Sequence, residues 1–188
     1  MPSMVEICNL ALMSLGSDSI TSIDDATTRA KLCKAYYPVT RDAVLRAYPW
    51  HCARTSQALA LLAAAPTHED WASQFTLPSD PYCLWVPKFL NEDLIYEING
   101  RTLLTDETTV TINYIYQLTN TGQFDSLLVE ALSARLAHNL AYPLTGVAST
   151  AELMWKLYMV KLTEARTQDG MEDGREQTYT SSALIEVR

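Results

Sequence analysis

Residues 24–50 read DDATTRAKLCKAYYPVTRDAVLRAYPW. The spacing predicts a helix that Asp24 or Asp25 caps and that ends at Tyr48-Pro49-Trp50. Pro38 falls inside it. A proline there has no amide proton to donate and costs about 3 kcal/mol in a helix interior, so a kink or restart is expected. The pair Arg41-Asp42 sits in the second half. Upstream, VEICNLALMSL carries a shorter helix. Ser3 and Glu6 form an S-x-x-E capping box ahead of it. Met4, Ile7, Cys8, Ala11, Leu12 and Leu15 then recur on one face, and Gly16 stands where a left-handed cap is wanted.

Downstream, residues 51–65 (HCARTSQALALLAAA) favour helix by composition, so helix is expected to continue to Pro66. The character then changes. Pro78, Pro81 and Pro87 break residues 70–90 into pieces too short for a long helix. Asn99-Gly100 separates LIYEI from RTLL, which is a strong hairpin signal because turn residues must reach positive φ. In TVTINYIYQL, Val110, Ile112, Tyr114, Tyr116 and Leu118 alternate, as on a strand with one buried face. Residues 66–120 are thus expected to form a small antiparallel β region inserted between helices.

Helices resume near Phe124. Phe124, Leu127, Leu128, Ala131, Leu132 and Leu136 make a stripe, with Pro143 and Gly146 at its end. Ser149 and Glu152 suggest a second capping box. Residues 153–162 are apolar nearly all round, apart from Lys156 and Lys161. Such a helix should be covered on more than one side, by the core and by a neighbouring subunit. Trp155, Met159 and Leu162 are the candidate interface residues. The expected fold is mainly α: a helical bundle with an inserted small antiparallel β region and an extended C-terminal tail. One domain covers 1–169, with helices in 3–65 and 123–169 and the β insertion at 66–120. Residues 170–188 form the tail, ending in the β-favouring ALIEV.

The chain has 188 residues, 48% of them hydrophobic and 19% charged, which suits one folded domain with a core. Its formal net charge of −8 argues against a surface that grips nucleic acid, because that needs a basic face. No apolar run reaches the roughly 20 residues of a membrane span, and residues 1–20 lack the pattern of a signal peptide. Cys8, Cys33, Cys52 and Cys83 are widely spaced, as expected of small buried groups in a reducing compartment. No nucleotide-binding glycine motif occurs. His51, Cys52, His68 and Cys83 do not have the spacing of a metal site, since adjacent residues point apart. A Cys52–His68 nucleophile pair would have to be assembled by the fold. The paired acids, Asp24/Asp25, Glu69/Asp70, Glu92/Asp93 and Asp106/Glu107, fall mostly in turns, where they cap backbone or face water. Hence no catalytic, cofactor or metal residue is assigned.

Read in order, VEICNLALMSLGSDSITSIDD, AKLCKAYYPVTRDAVLRAYPW, FTLPSDPYCLWV, TINYIYQL and FDSLLVEALSARLAHNLAYPLTG resemble the tail tubular protein A family of short-tailed bacteriophages, the head-to-tail adaptors or tail accessory factors. The resemblance spans about residues 3–166 and is most specific in YYPVTRDAVLRAYPW and TLPSDPYCLWV. His51-Cys52 departs from the family's small polar and aromatic pair after Pro-Trp, as does the Ala64-Ala65 approach to Pro66. The resemblance implies a structural, non-enzymatic virion protein made in the host cytoplasm and placed at the head-tail junction. Its copies would form a dodecameric ring between the portal protein and the tail nozzle protein, and DNA would pass the channel without sequence-specific binding. Tyr179, Leu184, Ile185, Val187 and Arg188 match the segment that reaches the portal. Two other readings stand beside it. A virion-associated cell-wall hydrolase would use a pair of the many carboxylates. A helical head-tail connector of a long-tailed phage would have no need of residues 66–120.

Overall fold

The computed structural model describes residues 2–64, 66 and 70–172. Four helices and seven strands appear among them. Helix α1 is Met4–Ser14 and α2 is Thr28–Arg46. The strands are β1 Arg54–Ala58, β2 Ala60–Leu61, β3 Ser73–Thr76, β4 Cys83–Trp85, β5 Glu97–Asn99, β6 Thr102–Thr105 and β7 Thr111–Tyr116. Helices α3, Ser126–Thr145, and α4, Ala148–Met171, follow. The strands form two antiparallel sheets, ordered β1-β7-β4 and β2-β3-β6-β5.

The expectation of a mainly α bundle carrying a small β insertion is therefore overturned. Among the described residues helix makes up 50% and strand 17%, and the sheets have a hydrophobic core of their own, so the fold is mixed α and β. The error starts at residue 54. Residues 51–65, read as helix, give a single 3-10 turn at His51–Ala53 and then β1 and β2. Helix propensities differ by only tenths of a kcal/mol per residue, whereas β1 completes a five-residue ladder along β7, from Arg54 opposite Ile115 to Ala58 opposite Thr111. Between the two strands Leu59 bonds back to β7, its N–H donating to Val110 O at 2.8 Å.

β7 is the strand the two cores share. Val110, Ile112 and Tyr114 lie in a cluster with Phe75, Leu77, Cys83, Val86 and Leu103, between the sheets. Ile115 and Leu118 lie in the other cluster, against Trp50, Phe124, Leu128 and the rest of the helices. The alternation read from the sequence holds from Val110 to Tyr114; Ile115, out of phase with it, is buried as well, and Leu118 joins Ile115 in the helical core. Asn91 lines up beside β7 as a substitute strand residue. Its Oδ1 accepts from Asn113 N at 2.8 Å, while its Nδ2 donates to Asn113 O and Pro87 O, each at 2.9 Å.

Local signals were read well at several ends. Ser3 and Glu6 do form the capping box. Gly16 has φ +66, and Ser17 N bonds to Leu12 O while Gly16 N bonds to Met13 O, a Schellman closure. The hairpin forms one residue later than expected. Asn99 pairs with Thr102, so Gly100 and Arg101 make the loop, and only Gly100 has positive φ, the pattern of a II′ turn. Arg101 then donates to Cys83 O at 2.7 Å and to Pro78 O, fixing the TLPSDPYC loop.

Other ends differ. Thr27, not Asp24 or Asp25, caps α2, by accepting from Ala30 N. Asp25 closes the preceding turn instead, and the backbone N–H groups of Ser22 and Thr21 hold its carboxyl below the ordinary carboxylate range. α2 runs through Pro38 unbroken; Pro38 and Lys34 are both exposed, so the carbonyl that loses its partner faces water. Trp50 is fully buried and its Nε1 donates to Val44 O at 2.9 Å, a carbonyl in the last turn of α2 that also accepts from Ala47 N. α4 starts after Val147 with no side-chain cap, so Ser149 and Glu152 form no capping box. It continues to Met171, past the boundary at 169 expected for the domain, with Gly170 helical.

α3 is the helix surrounded on several sides. It packs against α1, α2 and α4, and Ala131, Ala134, Ala137 and Ala141 keep its surface small enough for that approach. Asn139 Nδ2 donates to Thr40 Oγ1 at 2.8 Å, tying it to α2.

Replacing Asn91 with alanine strands the Asn113 amide and carbonyl beside β7. The expected loss is about 2–3 kcal/mol in urea unfolding, and a loss below about 0.5 kcal/mol would show that β7 needs no such partner.

Candidate functional site

Two surface regions stand out, both built on α4. Gly146, at φ +68, ends α3 in the left-handed conformation and turns the chain back along it. Met154, Tyr158, Leu162 and Ala165 then recur at helical spacing and bury against the core. On a separate face Leu153, Leu157 and Val160 form a second apolar row, 59%, 36% and 63% exposed.

Trp155 and Met159 lie between these faces, 39% and 43% exposed. Trp155 is held within the subunit: its ring sits 5.2 Å from His138 and 5.4 Å from Tyr158, with the Arg135 guanidinium 4.4 Å over it. Leu162 is only 4% exposed and belongs to the core. The doubly apolar character of 153–162 was legible; Met159 is exposed as expected, together with Leu153, Leu157 and Val160, while Leu162 is not. The phase of the helix separates the exposed residues from 154, 158 and 162, since a neighbour in sequence lies about 100° round the helix. Tyr179, Leu184, Ile185, Val187 and Arg188 lie outside the described residues.

The second region is a groove of 840 Å³ lined by Tyr48, Arg54, Trp85, Phe89, Glu92 and Arg166, with Gly170 at its rim. It joins the turn after α2 to the end of α4. Arg166 Nη2 donates to Ala47 O at 2.6 Å and Arg54 Nη2 to Pro49 O at 3.3 Å. The Nε of each arginine is buried and makes no hydrogen bond among the described residues. Trp85 and Phe89 meet edge to face, 6.1 Å between ring centres.

Beside the groove, buried Asp169 receives the 51–53 turn. His51 N donates to its Oδ1 at 3.2 Å, and His51 Nδ1 pairs with Oδ2 at 2.8 Å. Glu172 is near; one ligand atom from each of His51, Asp169 and Glu172 falls within 4.8 Å of the others. These are the residues that could hold a cation. Their present geometry is a histidine-carboxylate clasp joining the two ends of the helical layer. The sequence could not show it, because the partners are 118 positions apart.

The other chemistry-bearing residues named from the sequence are not brought together. Cys83 is buried in the β core, Cys52 is half-buried beside the helices, and His68 lies outside the described residues. Burial pushes the Cys52 thiol up to about 11. No helix among the described residues is long and apolar enough to cross a membrane.

Comparison of the sequence with models of known protein families gives no match. Comparison with curated proteins gives no significant match either.

Two measurements check this geometry. At pH 8 the native protein should react with iodoacetamide at Cys52 at least about tenfold more slowly than a free thiol does, because little thiolate is present. Labelling at the free-thiol rate would contradict the burial. Asp169→Ala should lower stability by about 1–3 kcal/mol through loss of two bonds to the His51 turn, and an unchanged denaturation midpoint would show the clasp to be idle.

Proposed function

We propose that this chain is a structural, non-enzymatic protein of a short-tailed bacteriophage virion: a head-to-tail adaptor. Its copies form a ring, dodecameric by the family resemblance, that joins the portal protein to the tail nozzle protein and extends the DNA channel. The support from sequence is the ordered resemblance over residues 3–166. The observation that carries the reading is the row Leu153, Leu157 and Val160, apolar and exposed on a helix whose other face already fills the core. Apolar area removed from water contributes roughly 25 cal/mol per Å² before ordering costs. A closed ring repeats one contact around its circumference, so a modest row is enough.

The charge suits the same role. A net charge of −8 makes phosphate contacts unfavourable on average, so DNA slides past instead of being held. The segment 179–188 is assigned to the portal. Function then resides in complementary surfaces rather than in bond-making groups.

The test is assembly. The full chain mixed with purified portal should give ring-shaped particles in negative stain and a large complex in sedimentation. Failure to bind either portal or nozzle protein would overturn the adaptor reading. Replacing Leu157 and Val160 together by aspartate should weaken self-association at least about tenfold while leaving the circular dichroism spectrum unchanged, since both side chains point away from the core. Unaltered sedimentation of that variant would remove α4 from the subunit contact.

A further inference from the structure

The groove at the end of α4 has the chemistry of a peptide site. Arg54 and Arg166 each spend one N–H on the same short turn, at Pro49 O and Ala47 O, and both line the groove. Guanidinium groups so placed suit a carboxylate, which accepts two parallel charge-assisted bonds. Among the lining residues these two cations face one acid, Glu92, in a chain that is otherwise strongly acidic. The rest of the lining is apolar and flat. Phe89 is 51% exposed, and it stands edge-on to Trp85 beside Leu90. An occupant must therefore offer a carboxylate and aliphatic groups in immediate succession.

We propose that this groove binds an extended acidic-apolar segment, and that its occupant is this chain's own Leu184-Ile185-Glu186-Val187. Beyond Glu172 the sequence holds three acids, Asp173, Glu176 and Glu186, and Glu186 alone has apolar neighbours on both sides. In an extended strand Ile185 and Val187 project to one face and Glu186 to the other. Glu186 then meets Arg54 and Arg166, while Ile185 and Val187 cover Trp85 and Phe89. Reach is not limiting. Gly170 is itself at the rim of the groove, and an extended chain covers about 3.3 Å per residue, so the sixteen positions from 170 to 186 far exceed a return of one groove length. The proposal concerns the free subunit, whereas the adaptor reading gives the same segment to the portal once the two meet; it does not depend on that reading, and its test contains no portal or nozzle protein.

The experiment uses the full chain with Phe89→p-benzoylphenylalanine, irradiated as an equal mixture of isotope-labelled and unlabelled protein, then digested and analysed by mass spectrometry. The expected product joins position 89 to a peptide containing residues 184–187, with both halves carrying the same isotope. Glu186→Gln in that background should reduce its yield at least about fivefold, as should Arg54→Gln with Arg166→Gln, through loss of the charge-assisted bond. Because Glu186→Gln leaves the groove itself untouched, its effect is independent of any folding defect in the arginine variant. Products joining labelled to unlabelled chains would give the groove to a second copy and overturn the proposal. A yield unaffected by Glu186→Gln, or no product with 184–187, would overturn it equally.

Discussion

Strand β7 is the part on which the rest of the molecule depends. It is hydrogen-bonded to β1 on one edge and β4 on the other, so its backbone is paired while residues on each of its faces enter a core. One face supplies Val110, Ile112 and Tyr114 to the core between the sheets, and the other supplies Ile115 to the core under the helices. Tyr116 packs against both. The two cores are coupled through a single stretch of six residues, and a disturbance in either is felt by the other through its register.

That coupling explains which features were legible. Features decided within a few residues were read correctly: the Ser3–Glu6 capping box, the left-handed Gly16, the alternation of β7 and the stop at Trp50. Features decided by distant partners were not. Arg54–Leu61 carries no strand pattern of its own, and its conformation is imposed by β7 and β3. Asp169 belongs to a helix by every local signal, and its role comes from the backbone and ring of His51. The fold class was lost at that step, because a ladder formed at long range outweighs small differences in helix propensity.

The interface region shows the same division. Composition showed that residues 153–162 were too apolar for one buried face. Of the expected interface residues Trp155, Met159 and Leu162, Met159 is exposed, Trp155 is engaged by Arg135 and His138, and Leu162 is in the core. Phase along the helix is the better guide, because it separates the residues that repeat with the buried face from those that do not. The groove behind the end of α4 had no local signature at all. Its arginines come from β1 and α4, its aromatic wall from Trp85 at the end of β4 and Phe89 just beyond, and the turn at Ala47–Pro49 holds them together.

The passage of the chain at Leu59 from one sheet to the next also has a mechanical meaning. β1 and β2 are separated by that one residue, so tension applied along residues 54–61 loads the ladder to β7 and the ladder to β3 in series. The pull runs parallel to the strands and perpendicular to their hydrogen bonds, so each ladder is sheared with its bonds sharing the load. A protein joined this way yields as a block and does not peel open strand by strand.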